Sequence, residues 1–202
     1  MVVIGLTGSI GTGKSTVAEF LARRGAVVIN ADEVGHHAFL PNTPIWEEVV
    51  AAFGRDILGE GEEIDRKRLG EIVFNAPEKL QLLNQIMHPR MKDMMAAQIA
   101  RLREEGVEVV VVEAALLIEA GWAGLADQVW VTTASEDTVI RRLASRNGLS
   151  EEQVRARVRS QMPPEEKLGY ADVAVDTNCT LAEVEEKVAQ LWDSLRASAI
   201  EK

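Results

Sequence analysis

Val2-Val3-Ile4-Gly5-Leu6-Thr7-Gly8-Ser9-Ile10-Gly11-Thr12-Gly13-Lys14-Ser15-Thr16 opens the chain, and its reading decides the fold. Val2-Val3-Ile4 is a β-branched run ended by Gly5, with the size and punctuation of a buried strand. Helix-favouring sequence then runs from Lys14 to Arg24 and stops at Gly25. Between them, Gly8 to Ser15 satisfies G-x-x-x-x-G-K-[ST] in the strand–turn–helix setting which that motif requires. Its glycines let successive N–H groups turn inward as a nest for an anion, and the following helix adds its positive dipole end. The spacing therefore predicts a nucleoside triphosphate on Gly8, Gly11, Thr12, Gly13, Lys14, Ser15 and Thr16. Lys14 is expected at the β- and γ-phosphates and Ser15 on Mg²⁺. The loop alone does not separate a kinase from an ATPase or a GTPase.

Working outward, further short apolar runs read as strands at Ala26–Ile29, Val107–Val112, Gln128–Val131 and Val173–Val175. Helical patterns lie between them. Thr43-Pro44 starts one through about Phe53, and Asp65 caps another through Phe74. A long pattern over 77–104 should kink or end at His88-Pro89. Helices are expected at about 135–146, 150–160 and 163–169, with a capping box at Ser150/Gln153. Thr180 with Glu183 caps a last one. Strands alternating with helices mean a parallel sheet of about five strands covered on both faces. Ligands of such sheets bind beyond the carboxyl ends of the strands.

Asp32 falls at such an end, two residues past the second apolar run. There it either accepts the proton of an attacking hydroxyl or caps the helix from Glu33. Glu113, at the end of the third run, is either part of a Mg²⁺ shell or an ordinary carboxylate. His36 and His37 either face an anionic substrate or stay at the surface, and His88 is either a substrate contact or part of a turn. Arg142 and Arg146 share a helical face and Arg157 follows on the next helix; they form either a lid over the nucleotide or a solvated charged face.

Composition narrows the class. At 202 residues, with 47% hydrophobic and 27% charged residues, the chain suits one globular domain. Its single cysteine, Cys179, forms no intrachain disulfide, builds no Cys-rich zinc site, and fits a reducing cytoplasm. No apolar run is long enough for a membrane, and no signal peptide is expected. The net charge of −10 disfavours nucleic acid. Residues 141–167 are locally basic, seven basic against four acidic, which suits a small anionic ligand. No guanine-reading N-K-x-D is present, which argues against a GTPase switch.

These motifs together resemble the dephospho-CoA kinases. Gly5 to Thr16 is similar to that family's G-L-T-G-G-I-G-S-G-K-S loop, and Asn30-Ala31-Asp32 to its Asp-Ala-Asp. His88-Pro89 matches its His-Pro, and Ala115 to Glu119 its Pro-Leu-Leu-Phe-Glu. Arg142-Leu143 with Arg146 to Ser150 resembles its Arg-Leu-x-x-Arg-Asp-Gly-Leu-Ser, and Arg157, Gln161, Lys167, Ala171 and Asp172 continue the pattern.

The resemblance covers nearly the whole chain. It implies an α/β, three-layer P-loop kinase core within one domain over 1–202, a helical CoA-binding insert over about 40–105 and a helical lid over about 135–170. It implies ATP-dependent phosphorylation of the ribose 3′-hydroxyl of dephospho-CoA, the last step of coenzyme A synthesis, with Mg²⁺. Another P-loop kinase of nucleotides or small alcohols is the alternative. By the same resemblance Gly11 to Thr16 meet the ATP phosphates, Asp32 is the catalytic base in contact with the acceptor, and Arg142 and Arg146 are lid residues. With Lys14 they are the expected catalytic set, while His36 and His88 stay candidate acceptor contacts. Asn30, Ala115 and Asp176-Thr177-Asn178 depart from the family pattern, the last where adenine would be read. ATP and dephospho-CoA are the expected partners, without nucleic acid or membrane. Oligomeric state is open.

Overall fold

The computed structural model describes residues 1–74 and 76–200. Its sheet contains β1 (Val2–Thr7), β2 (Val27–Asn30), β3 (Val109–Glu113), β4 (Gln128–Thr133) and β5 (Val173–Asp176) in the order β2-β3-β1-β4-β5. β1 pairs in parallel with β3 and β4, and β4 with β5. Leu6 stands opposite Glu113, Thr7 opposite Val131, and Thr133 opposite Asp176. The carboxyl ends therefore line up along one edge. Chain order reverses direction about β1, so the segment leaving β1 sits at the switch point where such sheets bind ligands.

Alternation within the strands explains the layers. Ile4 and Leu6, Val109 and Val111, Trp130 and Val175 share one face. They pack with Val17, Phe20 and Leu21 of α1 (Lys14–Arg23) and with Val184, Val188, Trp192 and Leu195 of α9 (Leu181–Ile200). The other face carries Val3, Val110, Val112, Val129 and Val131, which are buried as well. Burial on both sides is why these strands read as unbroken apolar runs. At the amino ends, Asp127 and Asp172 accept from the amides of Val3 (2.8 Å) and Val129 (2.7 Å), satisfying strand donors that begin the ladder. Asp172, part of the family pattern, is thus a scaffold residue.

Two compact units make up the chain: Met1–Ile29 with Ile99–Lys202, and Asn30–Gln98. The second holds α2 (Ala31–Ala38), α3 (Pro44–Phe53), α4 (Arg66–Phe74) and most of α5 (Pro77–Glu104). Its core includes Ile45, Trp46, Val49, Ile57, Leu69, Val73, Met87, Met91 and Met95. Trp46 packs in this core: it is buried, and its Nε1 donates to the Glu62 carbonyl at 2.7 Å. The local start signals hold. Thr43 accepts from Trp46 N, and Asp65 Oδ1 accepts from Lys67 N and Arg68 N.

The helix does not end at His88-Pro89: α5 runs from Pro77 to Glu104 with Pro89 inside it. Pro89 and Gln85 are both exposed, so water can serve the carbonyl that the missing N–H leaves open. Met87, Met91 and Met95 meanwhile keep an apolar stripe buried across the proline. In the first unit α6 (Glu136–Asn147), α7 (Glu151–Arg159) and α8 (Pro164–Leu168) follow β4. Ser135 caps α6, and Ser150 with Gln153 forms the expected box on α7. Thr180 and Glu183 bond reciprocally at the start of α9, which holds the Glu183 carboxyl below its ordinary range.

Candidate active site

The turn after β1 can be built only with glycine at its first position. A Cβ on Gly8 would stand 2.2 Å from Thr132 Oγ1 and 2.7 Å from the Thr132 carbonyl oxygen, and its φ of +151° is strained for any L side chain. Gly13, at φ +88°, turns the chain into α1. Thr12 Oγ1 lies 2.7 Å from both the Ser9 carbonyl and Thr132 Oγ1, and Thr132 Oγ1 donates to the Thr7 carbonyl at 3.2 Å. Lys14 Nζ donates back across the loop to the Gly8 carbonyl at 3.1 Å.

α2, α3, α6 and α7 each begin with a side-chain cap, whereas α1 begins without one and has no acid in its first turn. A helix start with no capping side chain and no acid in its first turn suits an anion, as a phosphate nest requires.

Ser15 Oγ donates to Glu113 Oε1 at 2.7 Å, and Glu113 is 8% exposed at the end of β3. A hydroxyl and a buried carboxylate beside a phosphate nest are hard oxygen donors of the sort Mg²⁺ takes, with phosphate and water completing the shell. Among the described residues no cluster of three or more His, Cys, Asp or Glu side chains could hold a metal without such help.

Around the loop stand residues of α6 and of the turn after β5. Arg142 donates through Nη1 to the Gly11 carbonyl (3.3 Å) and to Thr177 Oγ1 (3.0 Å), and through Nη2 to the Thr177 carbonyl (2.6 Å). Thr177 Oγ1 also lies 2.7 Å from the Thr12 carbonyl. Asn178 Oδ1 accepts from Ser135 Oγ (2.9 Å) and Thr138 Oγ1 (2.6 Å). The segment that departs from the family pattern is therefore knitted to the loop and to α6. Arg146 is exposed in the last turn of α6.

In the second unit, Asn30 rather than Asp32 caps α2: its Oδ1 accepts from Asp32 N (2.8 Å) and Glu33 N (3.3 Å). Asp32 is exposed in the first turn, and the capping alternative for it is removed. His36 Nδ1 bonds the Asp32 carbonyl at 2.8 Å, and its Nε2 meets Arg66 Nη1. His37 Nδ1 bonds the Glu33 carbonyl at 2.9 Å. α2 lies against α5, where a Cβ on Gly35 would sit 3.4 Å from Met91 Cε. His88, one turn before Met91, is half-buried, and burial pushes its imidazole pKa down.

Comparison with known proteins decides the family. Residues 2–183 match the family model described as dephospho-CoA kinase. The chain belongs to that family. A dephospho-CoA kinase of Geobacter sulfurreducens is 44% identical over 192 residues, covering 95% of this chain and 98% of that protein. A solved Thermus thermophilus structure superposes with a TM-score of 0.80 at 33% identity, covering 96% of this chain and 97% of the other. The dephospho-CoA kinase of Campylobacter jejuni superposes at 0.74 with 29% identity, covering 98% of both chains. The expected α/β core with its parallel five-stranded sheet is thus that of a dephospho-CoA kinase.

Against this family background, three features carry structure that the site residues named from sequence leave out. Gln161 Oε1 accepts from Ile10 N in the phosphate loop at 2.9 Å. Lys167, 1% exposed, pairs with Glu119 at 3.0 Å and donates to the Ala115 carbonyl at 2.7 Å. Thr177 bridges the loop and Arg142. Gln161 and Lys167 were visible as matches to the family pattern, but nothing local in the sequence tells what they touch.

Proposed function

We propose that this kinase transfers the γ-phosphoryl group of ATP to the ribose 3′-hydroxyl of dephospho-CoA, giving coenzyme A and ADP. The observation that carries the reading is the uncapped, acid-free start of α1 behind a Gly8–Ser15 nest, in a chain whose residues 2–183 match the family. The nest amides and Lys14 bind the β- and γ-phosphates. Ser15 and Glu113 would hold Mg²⁺, which when bound would neutralise charge on those phosphates. Asp32 orients the acceptor hydroxyl and takes its proton as the oxygen attacks phosphorus. Arg146 balances charge on the transferring group. Arg142 shares in this by exchanging the Gly11 and Thr177 carbonyls for phosphate oxygens. His36 and His88, in the Asn30–Gln98 unit, contact the acceptor, and that unit corresponds to the CoA-binding segment.

The partners in this reading are ATP and dephospho-CoA alone. An excess of acidic residues supports small ligands over nucleic acid, and no helix among the described residues is long and apolar enough to cross a membrane. Cytoplasmic action is part of the same proposal. The test is ADP release with Mg²⁺ and ATP, comparing dephospho-CoA with AMP, adenosine and no acceptor. Release that requires dephospho-CoA, with one phosphate added to the product, supports the assignment. Release with AMP or adenosine instead keeps the kinase and discards the acceptor.

A further inference from the structure

Three supports of the phosphate loop come from a single stretch of chain. Ile10 N donates to Gln161 Oε1 at 2.9 Å, the Ile10 side chain packs on Val139, Leu143 and Val154, and the Gly11 carbonyl accepts from Arg142. All of these partners lie in α6, α7 or the turn after α7. That turn is itself anchored. Met162 N donates to Glu119 Oε1 at 3.3 Å, and Glu119 is the partner of buried Lys167. Gln161 thus reaches the loop from a base tied to the segment after β3.

The Ile10 amide belongs to the Ser9–Ile10 peptide plane, one plane before the Ile10–Gly11 peptide that leads into Gly11 with its φ of +80°. Holding that plane on one side of Ile10, while the Ile10 side chain is packed and the Gly11 carbonyl is held by Arg142, limits the direction in which the chain enters Gly11, and so the aim of the amides beyond it. A nest set before the ligand arrives loses less freedom on binding than one that must be ordered by it. We infer that Gln161 is a positioning residue for nucleotide binding, acting through the Ile10 amide and the phosphate loop without touching the nucleotide. This rests on the reading that the loop holds the phosphates of ATP, and not on the identity of the acceptor.

The substitution Gln161→Leu removes the acceptor at similar side-chain size. Loss of one such hydrogen bond should raise the Kd for ADP and for ATP together by about five- to tenfold. KM for dephospho-CoA should stay at its wild-type value, and kcat at saturating ATP should fall less than kcat/KM for ATP. In amide exchange followed by NMR, Ile10 N–H should be protected in the wild type and in Gln161→Glu, which keeps an acceptor oxygen. It should lose protection in Gln161→Leu. ADP binding by calorimetry needs no acceptor, so a wrong acceptor assignment leaves this readout intact. An unprotected Ile10 amide in the wild type overturns the inference. So does a Gln161→Leu protein that binds both nucleotides as the wild type does. Should that variant not fold, Gln161→Met carries the same readouts.

Discussion

Because Asn30 supplies the cap of α2, the Asp32 carboxylate one turn-start later is not needed to begin the helix. Substituting it therefore separates chemistry from folding. Asp32→Asn should leave the thermal midpoint and ATP affinity near wild type while lowering kcat by about a hundredfold or more, the usual worth of a general base. Turnover close to wild type in a steady-state assay would remove the base assignment. The Ser15–Glu113 bond makes a second residue-level expectation. Glu113→Gln keeps the size and an acceptor oxygen but drops the charge that would face a divalent cation. The variant should need several times more Mg²⁺ for half-maximal rate, with ADP affinity in the absence of Mg²⁺ unchanged. An unaltered Mg²⁺ titration would place Glu113 outside the metal shell.

α5 shows how an element overrides a local rule. A proline in a helix interior forfeits one hydrogen bond and crowds the preceding turn, yet the buried methionine stripe carries α5 through Pro89. Pro89→Ala should raise stability by about 1–2 kcal/mol, the restored helix bond less the chain entropy regained on unfolding. A urea midpoint at or below wild type would mean that the helix was already relieved of that cost. His88, its neighbour, adds a pH term. Burial lowers its folded-state pKa below the ordinary 6.5, so the unfolded chain binds the proton more readily. The contribution is then complete above about pH 6.5 and is lost as pH falls toward the folded-state value. His88→Asn should flatten the decline in melting temperature between about pH 6.5 and 5, and a slope matching wild type would assign that decline elsewhere.

The same element marks the boundary of what sequence reading reaches. Caps at Thr43, Asp65, Ser150 and Thr180 involve partners two or three residues away, and each was legible. So were β1, β3 and β4, whose two-sided burial leaves a largely unbroken apolar run. Helix continuity at Pro89 depends on tertiary packing, and the choice of Asn30 over Asp32 as the cap turns on a two-residue register that both side chains satisfy chemically. Gln161 and Thr177 reach the phosphate loop across more than a hundred residues, a pairing created only by the strand order β2-β3-β1-β4-β5.

At the scale of the whole molecule, the two units divide the chemistry by chain segment. The phosphate loop, Glu113, Arg142, Gln161 and Thr177 all belong to the unit formed by Met1–Ile29 and Ile99–Lys202, whereas Asp32, His36 and His88 belong to Asn30–Gln98. If the first holds the donor and the second the acceptor, each substrate should leave its own footprint in amide exchange. ADP should slow exchange in peptides covering 8–16, which carry the nest, and 135–178, whose Arg142, Gln161 and Thr177 brace it. Peptides over 44–74 should respond little to ADP. Dephospho-CoA should show the reverse preference, slowing exchange around α2 and the middle of α5 while leaving 8–16 nearly as in the unliganded protein. The distinction is sharp because binding protects the amides that it orders. Equal protection of 44–74 by ADP alone would break the assignment of donor and acceptor to separate units, while the phosphate loop itself would stand.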